Sequence, residues 1–175
     1  MTTYVALLRG INVGGRAKVR MQDLRELFVS LGHGDARTYI QTGNVIFTSS
    51  AAPARLAADI ERRIADDLGL TVTVLLRTKE ELAEVVAASP FAGRELDSSR
   101  VAVTFLADSP DQDRVDQLDP AAFAPEEFVV SGREVYVHCP DGFGRSKLPN
   151  FERKLGVAAT ARNWKVVTAL LDLAS

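Results

Sequence analysis

The chain has little of what most enzymes use for covalent or metal chemistry. It holds one cysteine, Cys139, and two histidines, His33 and His138. A single cysteine excludes an intramolecular disulfide and fits a reducing compartment. His138 and Cys139 are sequence neighbours, so on a strand they point to opposite sides, and neither has partners at metal-ligand spacing. No metal site and no Cys–His catalytic pair is expected. No apolar run approaches 18 residues, so no membrane span is expected. The N-terminus also lacks the basic, apolar and small-residue regions of a secretory signal. The expected location is the cytoplasm. Net charge is also scarce, at −2 over 175 residues, which gives no global pull towards nucleic acid or membrane.

The distribution of charge is more informative than its total. Residues 1–22 carry four basic side chains and no acidic one, and residues 143–165 carry six basic and one acidic. The intervening stretch, 23–142, has a net charge of −10. Positive charge is concentrated near the two ends, beside glycine-rich segments.

The hydrophobic pattern reads as an α+β fold of two small subdomains. Thr3 to Leu8 is a short apolar strand. Residues 10–20 form a long loop, and Met21, Leu24, Leu27, Phe28 and Leu31 recur at helical spacing. Strands at 36–40 and 45–47 flank the turn Thr42-Gly43-Asn44. A helix with Leu56, Ile60 and Ile64 inward runs to Gly69, and a strand follows at 71–76. The order βαββαβ over residues 1–78 is the split βαβ, or ferredoxin-like, unit. Residues 79–175 form the second subdomain. After a helix at 79–88, it reads as a degenerate βαββαα copy, with helices at 146–155 and 161–173. Strands one and three are apolar at both parities, which predicts a sheet covered on both faces. Such a sheet is no open platform for single-stranded RNA.

The segment Leu8-Arg9-Gly10-Ile11-Asn12-Val13-Gly14-Gly15-Arg16 joins the first strand to the first helix. Glycines let backbone N–H groups converge on an anion, and arginines add charge-assisted bonds. Arg16 and Ala17 stand where a P-loop requires Lys and a hydroxyl, and the dinucleotide glycine fingerprint is absent, so no nucleotide cofactor motif is present. Gln41-Thr42-Gly43-Asn44 reads first as a turn, and is expected at the sheet end opposite this loop. Gly144-Arg145-Ser146-Lys147 and Thr160-Ala161-Arg162-Asn163-Trp164 each read as a capped helix start with a cation at its mouth, with Ser146 and Thr160 as caps. Trp164 reads as a core anchor with Val167, Leu170 and Leu171, and His33 as a surface residue.

LRGINVGG, YIQTGNVIF at 39–47, GRSKL at 144–148 and TARNW at 160–164 together resemble the domain-of-unknown-function 1697 family over essentially the whole chain. The resemblance implies an α+β fold in two small subdomains. It implies no reaction, cofactor or catalytic residue.

The residues therefore point to a ligand type and not to a reaction. The expected function is binding of a phosphorylated or otherwise anionic small molecule in a basic, glycine-rich cleft between the subdomains. The candidate ligand-binding residues are Arg9, Asn12, Gly14, Gly15, Arg16, Arg145, Ser146, Lys147, Arg162 and Asn163. If the protein is an enzyme, catalysis rests on charge stabilisation, because no general base is evident. A nucleic-acid phosphate-binding module and a protein-interaction domain without ligand are the alternatives. The residues carry no signal of oligomeric state.

Overall fold

In the computed structural model, which describes residues 1–13, 15 and 17–175, the apolar run after Met1 forms β1 (Thr2–Leu8). The chain continues through α1 (Met21–Ser30), β2 (Gly34–Thr38), β3 (Asn44–Ser49), α2 (Pro53–Leu68), β4 (Val74–Thr78) and α3 (Lys79–Ala87). It then forms β5 (Val101–Leu106), α4 (Gln112–Asp116), β6 (Glu127–Ser131), β7 (Glu134–His138), α5 (Phe151–Leu155), β8 (Ala159–Asn163) and α6 (Trp164–Ala174). Two compact units result: Met1–Ala83 with Leu170–Ser175, and Glu84–Ala169.

The first unit is built on an antiparallel sheet of order β2-β3-β1-β4. On one face Tyr4, Ala6, Leu8, Val45, Phe47, Val74 and Leu76 pack with Leu24, Leu27 and Phe28 of α1 and Leu56, Ile60 and Ile64 of α2. The inward residues of α2 recur every fourth position, as one helical stripe requires. On the other face Val5, Leu7, Ile46, Leu75 and Arg77 are equally buried, in accord with strands that are apolar at both parities.

The second unit has a sheet of order β6-β7-β5-β8, the same permutation. Here the structure is more regular than the sequence pattern suggests. Residues 159–163 are a strand paired antiparallel with β5, not the start of a helix. Thr160 and Arg162 face inward while Ala161 and Asn163 face out, and pairing with β5 overrides the helix propensity of this short segment. The copy is therefore βαββαβ followed by α6. Asn163, not Thr160, caps that helix, its Oδ1 accepting from the Val166 amide at 2.9 Å. Residues 146–155 are not one helix either. Only Phe151–Leu155 is helical, capped by Asn150, whose Oδ1 accepts from the Arg153 amide. Pro149 disfavours helical backbone at the residue before it and has no amide to donate, so Ser146 caps no helix.

The duplication is visible residue by residue. The Leu8 amide donates to Gly43 and the Arg9 amide to Thr73, while the Leu106 amide donates to Arg133 and the Ala107 amide to Ala158. Val5 pairs with Arg77 in one sheet, and Val103 with Arg162 in the other. Each arginine is buried, and each donates from Nη1 to the carbonyl of the residue before it at 2.9 Å. A helix-capping residue follows each. Thr78 forms a reciprocal capping box with Glu81, and Asn163 caps α6.

Trp164 is half-buried, not a core anchor. As the first residue of α6 it lies off the inward stripe, which is Val166, Val167, Leu170 and Ala174. His33 is not a free surface residue. Its ring packs 4.8 Å from Phe47 and 6.1 Å from Phe28, and its Nε2 is buried without a hydrogen-bond partner among the described residues.

Candidate functional site

The loop between β1 and α1 closes on the β2–β3 turn. The two lie at the same end of the sheet, not at opposite ends, because β1 and β3 are antiparallel and Leu7 pairs with Asn44. Gly43 makes the approach possible. A Cβ there would stand 2.9 Å from Ile11 and from the Cβ of Leu8, and its φ of +89° suits glycine. Ile11, 1% exposed, plugs the loop into the core.

Asn12 ties loop and turn together. Its Nδ2 donates to the Gln41 carbonyl at 2.7 Å and to the Val19 carbonyl at 3.1 Å. Its Oδ1 accepts from the Val19 amide at 2.8 Å, and its own amide donates to Ala17 at 3.0 Å. Asn12, Ala17 and Ile40 have φ of 55°, 50° and 48°. For the β-branched Ile40 this is a strained backbone of the kind that collects at functional sites.

Together the loop and turn form an open pocket of about 430 Å³ lined by Asn12, Gly15, Lys18, Val19, Arg20 and Gln41. Lys18 and Arg20 are exposed. The Arg20 guanidinium grips Asp23 with two bonds of 3.0 and 2.9 Å, and this holds the Asp23 carboxyl below the usual carboxylate range. Arg9 is exposed next to the loop. Gly14 and Arg16 lie outside the described residues.

The C-terminal candidates fall in two places. Arg145 and Lys147 line a second cavity, of about 220 Å³, with Glu126 and Asp141. The Lys147 amide donates to Glu126 Oε1 at 2.7 Å. Ser146 accepts from the Leu148 amide and lies 3.6 Å from the Cys139 sulfur. Burial, with the Glu126 carboxylate nearby, pushes the Cys139 thiol up to about 11, so it stays protonated and a poor nucleophile. Arg162 is within the sheet, 7% exposed, with Nη1 2.7 Å from Thr160 Oγ1. Burial brings its pKa down to about 10. It directly precedes the α6 cap Asn163, but its guanidinium is held within the sheet by Thr160 Oγ1 and the Ala161 carbonyl. Asn163 is spent on capping α6.

A third cluster escaped the sequence reading. Arg94 makes two bonds of 2.8 Å to Glu127, and Glu127 Oε1 lies 3.6 Å from His138 Nδ1. The Arg94 bonds hold the Glu127 carboxyl low. Only the pairing of β6 with β7 sets Glu127 beside His138. The capping box Thr78–Glu81 was legible as T-x-x-E ahead of an apolar run. Among the described residues, no cluster of three or more His, Cys, Asp or Glu could hold a metal ion, and no helix is long and apolar enough to cross a membrane.

The chain is similar over 99% of its length to 99% of a solved structure described as a conserved bacterial protein, SP0830, from Streptococcus pneumoniae, with a TM-score of 0.78 and 26% identity. No curated protein matches it in sequence. The model of a family described as proteins of unknown function, DUF1697, matches residues 1–136. The chain belongs to the DUF1697 family.

Proposed function

We propose that the protein binds a phosphorylated or otherwise anionic small molecule at the β1–α1 loop of the first unit. The supporting observation is a comparison of the two copies of the fold. The second unit makes the same crossover, from Leu106 to Gln112, with residues 107–111, whereas the first uses residues 9–20. Equivalent backbone bonds close both sheet ends. The fold does not need the extra loop, so its glycines, cations and strained backbone call for another reason. Its cavity falls in the size range of small-molecule sites, about 300–1,000 Å³. Lys18 and the amide of Gly15 are the groups that meet the ligand there, with the exposed Arg9 beside the loop adding positive charge. Asn12 holds the loop and does not grip the ligand.

The cavity at Arg145 and Lys147 is the weaker anion site, because Glu126 and Asp141 share it. A cytoplasmic location belongs to the same proposal. The chain's single cysteine, buried Cys139, is consistent with it.

Thermal-shift titration with inorganic phosphate, sugar phosphates and nucleotides tests the reading. At about 100 times Kd, binding adds roughly 2.7 kcal/mol, a Tm rise of roughly 5–10 °C for a chain of this size. Lys18→Ala reduces the rise and Lys147→Ala leaves it. A Tm indifferent to all three classes refutes the proposal. Binding of oligonucleotides of any sequence, with affinity falling steeply with salt, transfers the basic rim to nucleic-acid phosphates.

A further inference from the structure

We infer that the second unit carries a separate site for a neutral, planar heteroaromatic ring of purine size, beside Trp164. A cavity of about 230 Å³ opens between the segment after α3 and the start of α6. Its walls are Val86, Phe91, Leu96, Val101 and Trp164. An enclosed apolar cavity of about 150 Å³ accommodates benzene. Pockets for drug-sized ligands begin near 300 Å³. This cavity is between the two, which suits one fused ring system.

The chemistry of the walls narrows the class. Trp164, half-buried, lines the cavity, while Phe91 is 6% exposed. The Arg94 guanidinium lies over the Phe91 ring, 5.5 Å from its centroid. Arg94 is fixed in that place by its two bonds to Glu127 on β6. Its charge is matched there, so the pocket presents a flat cation already neutralised. It does not call for an anion. Ser89 and Ser98 also line the cavity, and the Ser89 hydroxyl, whose oxygen accepts from the Phe91 amide at 3.2 Å, keeps its proton to donate. Flat surfaces with a few edge hydrogen bonds are how proteins hold a base. The site is independent of the anion site proposed above.

The chain has one tryptophan, so its fluorescence reports on this pocket alone. Adenine is the probe. It should change Trp164 emission saturably, with a midpoint at or below about 1 mM. Ala92→Phe, at an exposed lining position that tolerates bulk, should weaken that midpoint at least tenfold. Trp164→Leu should abolish the thermal shift produced by adenine. By thermal shift, which indole's own emission does not disturb, indole, flat but with fewer polar edge atoms, should bind several-fold more weakly than adenine, and inorganic phosphate should leave the Trp164 emission unchanged. The inference is overturned by the absence of a saturable response to adenine, or by a response untouched in Ala92→Phe. Indole binding as tightly as adenine, or phosphate producing the same change, overturns the ring class.

Discussion

Replacing Asn12 by alanine tests whether this residue builds the loop or touches the ligand. The substitution removes three side-chain hydrogen bonds, two donated and one accepted. Each is worth about 0.5–1.5 kcal/mol net, and partial exposure puts them in the lower half of that range, so together they contribute about 1.5–3 kcal/mol. Alanine at a φ of 55° adds about 1 kcal/mol, because asparagine tolerates the left-handed region better. The loss is about 2.5–4 kcal/mol, felt first as local opening of the loop. The Val19 amide, held by Asn12 Oδ1, is the direct reporter. At 1.4 kcal/mol per tenfold, its hydrogen exchange should quicken by roughly a hundredfold or more. Asn12→Asp keeps the acceptor and the backbone preference. It should leave Val19 protected while releasing the turn at Gln41. A Val19 amide whose exchange is unaltered in Asn12→Ala, with anion binding lost, would refute the argument and make Asn12 a ligand contact.

Three further outcomes follow from the packing. Burial among aromatic rings lowers the pKa of His33 below its ordinary 6.5, against a weaker opposite pull from Asp59. The fold therefore holds it neutral, and stability present above pH 6.5 is lost as pH falls through 6.5 towards the folded value. His33→Phe should flatten that part of a stability–pH curve measured by urea unfolding, and an unchanged slope would place the titration elsewhere. Gly43→Ala forces a Cβ to 2.9 Å from Ile11 and Leu8 and should cost about 2–4 kcal/mol, read as a Tm lower by roughly 5–15 °C. A Tm within a degree or so of wild type would mean that loop and turn do not meet as described. Tyr136→Phe removes the 2.7 Å bond from the Tyr136 hydroxyl to the Val85 carbonyl and should cost about 1–3 kcal/mol in urea unfolding, since the carbonyl is left unpaired. A neutral result would mean that water replaces the hydroxyl.

The sequence by itself determined the elements whose pattern is strong and local. The stripe Leu56, Ile60 and Ile64 specifies α2, Gly69 ends it, and the doubly apolar β1 and β3 specify a sheet buried on both faces. The glycine-rich loop was legible for the same reason, since it interrupts that pattern for longer than a crossover needs. The fold order also contained the adjacency of loop and turn, because β1 and β3 must run antiparallel. What only the tertiary structure decided depends on partners distant in sequence. Residues 159–163 are a strand because β5 offers an edge with unpaired backbone, and five residues carry too little periodicity to declare it. Trp164 then becomes the first residue of a helix and the wall of a cavity instead of a core anchor. The Arg162 side chain is drawn into the sheet. Local propensity is worth tenths of a kcal/mol per residue, whereas satisfying a buried sheet edge is worth about a kcal/mol or more per backbone group, so pairing wins wherever the two compete.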